Sequence, residues 1–185
     1  MALSNFVSDC NVVNVGGTEM EIYFTCSSEL KNDPRSRSEM PSPTGVAGET
    51  NEIGENYDFT GAPTGEGFWR KMTIIADTGM IETKGGTKDG TTKIDNTFKF
   101  KLKGFGKVEK EFAEKLTGCC GLVMIIPDKT GVVHELGRKK SPATVPSFNG
   151  GTGGDFRGFD YEVMASGRTP RTINLTTFSL DLTPN

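Results

Sequence analysis

Thr97-Phe-Lys-Phe-Lys-Leu-Lys103 alternates apolar and cationic side chains without a break. A period of two belongs to an extended strand, whose successive side chains point to opposite faces. Phe98, Phe100 and Leu102 therefore turn to a core, and Lys99, Lys101 and Lys103 line the other face. A lysine stripe of this kind is a solvated face, a protected sheet edge or a contact for an acidic partner. The same parity argues against a stacking platform for single-stranded nucleic acid. Phe98 and Phe100 face away from the lysines beside them.

Working outward, the neighbouring segments are also β in character. Met20, Ile22, Phe24 and Cys26 alternate with Glu21, Tyr23 and Thr25, after a possible strand at Asn11–Val15 and a turn at Gly16-Gly17. Phe68–Asp77 reads as a strand carrying the single tryptophan, Trp69. Gly79 and the Lys84–Gly90 cluster read as turns around Met80–Thr83. A hairpin follows, with Gly121–Pro127 and Gly131–Gly137 joined through Asp128-Lys-Thr130. Arg138–Asp155, with its Gly150–Gly154 run, reads as a loop. Phe156–Ser166 alternates again, and a last strand from Ile173 to Leu182 changes parity near Thr176-Thr177, a sign of a bulge. Only Lys107–Leu116 has helical spacing, placing Val108, Phe112 and Leu116 on one face. Glu111 and Lys115 form a favourably ordered pair, and Gly118 falls at the C-terminal end.

Between about 27 and 67 the periodicity disappears. This polar arm contains Pro34, Pro41, Pro43 and Pro63, and offers Ile53, Tyr57 and Phe59 as apolar anchors. So long a stretch without periodicity inside a domain is uncommon and is either functional or disordered. Its charge is −5, from 3 basic and 8 acidic residues. The sequence thus predicts one domain, 1–185, that is mainly β. It would be a β-sandwich or barrel with one packed α-helix and a long extended loop.

Composition narrows the function. The 24 glycines and 9 prolines among 185 residues are about 18% of the chain, against a usual ~12%, which disfavours a helical bundle. Net charge is −3 and the chain holds one histidine, His134. That leaves little for a histidine metal centre or a His–carboxylate relay, and neither a cofactor nor a catalytic set is expected. Gly104-Phe-Gly106 lacks a dinucleotide fingerprint, and Gly150–Gly154 lacks the Lys-Ser/Thr of a P-loop. The longest apolar run, Leu122-Val-Met-Ile-Ile126, is far short of the ~20 residues of a membrane helix. No secretory signal precedes it. Cys10, Cys26, Cys119 and Cys120 fit neither a disulfide framework nor a zinc site. Reduced thiols made in a cytoplasm are the expectation.

Charge is unevenly placed. Residues 1–65 carry 3 basic and 10 acidic side chains, and residues 84–140 carry 13 basic and 7 acidic ones. This asymmetry suggests a head-to-tail contact between copies, since charge complementarity sets register and heterologous contacts build rings or filaments.

Strands, a polar arm, a lysine-bearing hairpin, one helix, a tight hairpin and closing strands together resemble the layout of bacteriophage tail tube proteins. Gly67-Phe-Trp, Lys93–Phe98, Leu122–Ile126, Gly131–Gly137, Phe156–Val163 and Ser166–Pro170 are similar to virion structural proteins of Bacteroidetes phages. The resemblance implies a non-enzymatic subunit that polymerises into stacked hexameric rings forming a channel for genome delivery. The implied partners are further copies, other tail proteins and double-stranded DNA passing through the lumen without sequence-specific binding. The implied location is the virion tail, assembled in the bacterial host cytoplasm. An attachment, neck or capsid decoration module is the alternative. The candidate subunit interface comprises Tyr57, Phe59, Lys99, Lys101, Lys103, Arg138, Lys139 and Lys140.

Overall fold

The chain lays down strands β1 (Glu21–Cys26), β2 (Glu52–Ile53), β3 (Arg70–Thr73), β4 (Met80–Lys88) and β5 (Thr91–Lys103) before its helix α1 (Lys107–Gly118). Strands β6 (Leu122–Pro127), β7 (Val133–Leu136), β8 (Thr144–Gly153), β9 (Phe156–Ser166) and β10 (Arg171–Ile173) follow. The structure, a computed structural model, describes residues 17–34, 52–53, 57–59, 69–88, 91–118, 121–153, 156–167 and 171–173. The expected strand at 11–15 and the parity change near Thr176 lie outside these residues.

Two sheets form. One has six strands in the order β2-β10-β7-β6-β1-β3, and the other has four in the order β4-β5-β9-β8. Pairing is antiparallel except between β10 and β2. The fold is therefore mainly β, sandwich-like, with one helix among the described residues. No helix there is long and apolar enough to cross a membrane, which says nothing of membrane β-barrels.

The main core lies between the sheets. Ile22, Phe24, Met72, Met124, Ile126 and Leu136 from the first meet Phe98, Phe100, Phe159, Tyr161 and Val163 from the second. Phe98 stacks on Phe100 at 4.9 Å between ring centroids, and Phe100 on Tyr161 at 5.2 Å. The sequence quoted first behaves as its period requires. Phe98 and Phe100 are buried, while Lys99 and Lys103 are exposed.

The chain passes from one sheet to the other at a corner after β3. Ile74 N–H still bonds Met20 in the first sheet at 2.8 Å, and Ile75 N–H already bonds the Lys101 carbonyl in the second at 2.9 Å. The Thr78 hydroxyl closes the corner, donating to the Ile75 carbonyl and accepting from Lys101 N–H. The strand expected from Phe68 to Asp77 for this reason stops at Thr73.

Two readings of glycine are corrected. Lys84-Gly-Gly-Thr87 is not a turn but part of β4, because its backbone completes a ladder with β5 down to Lys88↔Thr91. The Gly150-Gly-Thr-Gly153 stretch is not a loop tip. It pairs with β9 as the end of the ten-residue strand β8. A Cβ at Gly150 would come within 2.5 Å of the Phe159 ring and 2.7 Å of Phe105, so glycine is what lets the strand approach these aromatics. Gly118 is the last residue of α1, the end at which the sequence puts it.

Helix α1 matches its expected span, but its buried face is rotated. Ala113 and Leu116 are buried and Phe112 packs edge-on against Phe24 at 5.9 Å, whereas Val108 is 74% exposed. The start is held by Glu109, whose Oε2 accepts the Gly106 N–H at 2.8 Å, one half of a capping box. The ion pair is Lys107–Glu111 at 3.7 Å. Truncating a buried leucine costs about 2–5 kcal/mol, and exposed substitutions stay within about 0.5 kcal/mol. Leu116→Ala should lower the urea midpoint clearly, while Val108→Ala should leave it in place. Equal shifts would mean the helix sits on the sheet by a different face.

Candidate functional site: a buried Glu–Arg node under the polar arm

The six-stranded sheet is covered on its second face as well. Trp69, Val123, Ile125, Val133 and Ile173 face away from the sandwich, and Leu30, Tyr57 and Phe59 lie over them. Tyr57 and Phe59 both meet Trp69 edge to face, at 4.9 and 5.9 Å between centroids. A backbone bridge joins Leu30 to Phe59, and Lys31 N–H donates to the Asp58 carbonyl at 2.7 Å. The described parts of the arm thus form a small second layer on their own sheet.

At the centre of this layer is Glu135, its side chain 1% exposed. Val133 and Glu135 share a parity on β7, so the carboxylate enters an otherwise apolar face. Arg171 meets it with two hydrogen bonds, Nε to Oε2 at 2.6 Å and NH2 to Oε1 at 2.8 Å. The Tyr57 hydroxyl donates to Oε1 at 2.5 Å, and the Arg138 Nε lies 3.5 Å from Oε2. Arg171 also donates through NH1 to the Pro34 carbonyl at 2.6 Å. Burial, then the adjacent Glu135 charge and hydrogen bond, push the Tyr57 phenol well above its usual range. It is a permanent donor at neutral pH. The node joins β7, β10 and two points of the arm.

The sequence-predicted interface residues divide into three groups. Tyr57 and Phe59 are engaged on Trp69 of their own chain. The basic run 138–140 is likewise tied to the arm of the same chain. Lys139 and Lys140 direct their backbone N–H groups at Asp33, at 2.5 and 3.2 Å. The Lys139 ammonium bonds the Leu30 and Lys31 carbonyls. Lys99, Lys101 and Lys103 stand apart on the outer face of the four-stranded sheet. Lys99 lies 3.9 Å from Glu82 and Lys101 3.2 Å from Asp160. The structure does not bring the two basic groups together.

Two hollows accompany these groups. One, of about 410 Å³, opens beside the node between Asp33, Arg138, Lys140, Ser141 and Ser166. The other, of about 330 Å³, lies over Lys99, Lys101, Asp160 and Glu162. Both mix charges of either sign. Among the described residues no group of His, Cys, Asp or Glu is arranged to hold a metal.

His134 takes part in the β6–β7 turn. Its Nε2 is 3.0 Å from Asp128 Oδ2, and Asp128 Oδ1 accepts from Thr130 N–H, the Thr130 hydroxyl and Val132 N–H. Partial burial raises the Asp128 carboxyl. The hydrogen bonds from Thr130, His134 and Val132 outweigh that and hold it below its ordinary value.

No family model matches this sequence, and neither curated proteins nor solved structures yield a match.

Two predictions follow from the site. Removing one partner of a buried pair costs about 3–5 kcal/mol, while replacing both with apolar side chains is often neutral. Glu135→Leu and Arg171→Met should each destabilise strongly, and the double variant should recover most of the loss in chemical denaturation. The depressed Asp128 carboxyl contributes stability that is complete above the unfolded value of about 3.9 and is lost as pH falls through the lower folded value. Asp128→Asn should be less stable by about 1 kcal/mol near neutrality. Below pH ~4 its melting temperature should converge on that of the parent.

Proposed function

We propose that the protein is a virion structural subunit, and specifically a tail tube subunit. Its copies would join side by side through the four-stranded sheet into rings that stack as a channel for the genome. The observation that carries this reading is strand β8. It is ten residues long, stands at a sheet edge and contains no charged residue in Thr144-Val-Pro-Ser-Phe-Asn-Gly-Gly-Thr-Gly153. It also leaves Phe148 43% exposed. Open edges are templates for pairing, and monomeric proteins blunt them with charge, bulges or cover. Here Pro146 and the register shift between Thr144 and Ser147 blunt only the first part. Thr152 and the glycines beside it remain open to a partner strand among the described residues.

The opposite edge of the same sheet is β4. Pairing β8 of one copy with β4 of the next is heterologous and closes into a ring when the rotation per subunit permits. The β4–β5 hairpin also continues past the sheet. β9 pairs with β5 from Asp95 to Lys103 and Gly167 N–H still bonds the Ile94 carbonyl at 2.8 Å, so among the described residues Thr91–Lys93 of β5 pair with β4 alone. A two-stranded ribbon is marginal by itself, and a neighbour would stabilise it. The same reading places the protein in the virion tail, with other tail proteins as partners and double-stranded DNA passing through the lumen.

A contact through the charge asymmetry would weaken with salt, because exposed charge pairs are screened. Asp33, Lys139, Lys101 and Lys99 already have partners within the chain. The β8 side of the proposed seam is uncharged, and on the β4 side Glu82 already pairs with Lys84 and Lys99 of its own chain. Rings or tubes should be visible by negative-stain microscopy of the purified protein and should persist at high salt. Asn149→Lys with Thr152→Lys, which charges the edge, should abolish them while leaving the melting temperature close to the parent's. A parent that stays monomeric at high concentration, or a charged variant that still forms tubes, overturns the proposal.

A further inference from the structure

The layer over the second face of the six-stranded sheet is attached differently from the rest of the fold. The two sheets are held by a continuous apolar core that includes Phe98, Phe100, Met124, Ile126 and Tyr161. Among the described residues the layer contributes Leu30, Tyr57 and Phe59, with Pro34 also buried, and its other attachments are polar. Glu29 takes a bidentate hydrogen bond from Arg70 at 2.8 and 2.9 Å. Asp33 accepts from the backbone of Lys139 and Lys140, Pro34 from Arg171, and Glu135 from Tyr57.

Proteins open in cooperative units whose free energies follow local apolar burial. We infer that Ser27–Pro34 and Tyr57–Phe59 form a strap that opens from the sheet as a unit while the sandwich stays folded, with the Glu135–Arg171 node as its latch. The latch is asymmetric. Glu135 and Arg171 stand on β7 and β10 and keep each other when the strap leaves. Among the described residues the strap brings to the node the Tyr57 hydroxyl, the Pro34 carbonyl and, nearby, the Asp33 charge. The two hydrogen bonds between Glu135 and Arg171 stay within the sheet, so the strap's departure does not strand a buried charge without a partner. That separates strap opening from the cost of breaking the ion pair itself. Opening uncovers Trp69, Val123, Ile125 and Val133, and its extent is set by how well Tyr57 holds Glu135.

Trp69 is the single tryptophan and sits against Tyr57 and Phe59, so its emission reports the strap directly. In urea, the intact protein should show a Trp69 red shift at lower concentration than the loss of far-ultraviolet circular dichroism. By hydrogen exchange, the Lys31 amide, bonded to the Asp58 carbonyl, should exchange at least tenfold faster in Tyr57→Phe than in the parent. The amides of β6 should keep their rates. This variant removes one hydroxyl and leaves the ion pair intact, so the sandwich remains available as the reference. Coincident transitions by the two probes, or equal acceleration at Lys31 and in β6, would show that strap and sandwich are one cooperative unit and would sink the inference. The test reads a monomer property and stands whether or not the protein assembles.

Discussion

Leu122-Val-Met-Ile-Ile126 has five consecutive side chains within 1% of complete burial, and much of the structure follows from that requirement. A strand alternates its side chains, so an unbroken apolar run needs cover on both faces. Leu122, Met124 and Ile126 are covered by the second sheet and belong to the sandwich core. Val123 and Ile125 need something else, and the something else is the arm. A polar, proline-containing segment is an unpromising cover, since it brings few apolar side chains. It succeeds by concentrating Leu30, Tyr57 and Phe59 around Trp69 and by fastening its backbone to side chains of the sheet.

The same constraint explains why a charged pair lies in an apolar layer. The arm's backbone arrives carrying carbonyls and N–H groups that sheet pairing does not satisfy, and buried polar groups need partners. Arg171 supplies a donor to Pro34, the turn at 138–141 supplies N–H groups to Asp33, and Glu135 balances Arg171. The acidic character of the arm and the basic character of the middle of the chain are thereby partly answered within one molecule. What remains for an assembly is the uncharged flank at β8, which is a different kind of surface from the one that charge counting suggests.

Legibility followed periodicity. The strands at 97–103 and 156–166 carry a period of two, 122–127 an unbroken apolar run and 107–116 helical spacing, and each forms the element that its pattern indicates. The glycine-rich strands were misread because glycine lacks a side chain to show a period, and Gly85 and Gly150 look the same in a turn as in a ladder. Val108 was assigned to the wrong face because a three-residue stripe does not fix the orientation of a short helix. The node was missed for a clearer reason. Glu135 shares parity with Val133, and Arg171 with Ile173, so each reads as a charge on an apolar face. The signal was there, but pairing positions 36 residues apart requires the sheet order, which no local pattern contains.

Both ends of the stretch 35–51 converge on β10, with the Pro34 carbonyl on the Arg171 side chain and Glu52 beside Thr172 in the ladder. The described residues on either side of it are therefore already held at one strand. The entropy of closing a chain between fixed ends grows only with the logarithm of its length, about 0.6 kcal/mol for each doubling. Residues added between 35 and 51 should therefore cost little and leave the register of both sheets in place.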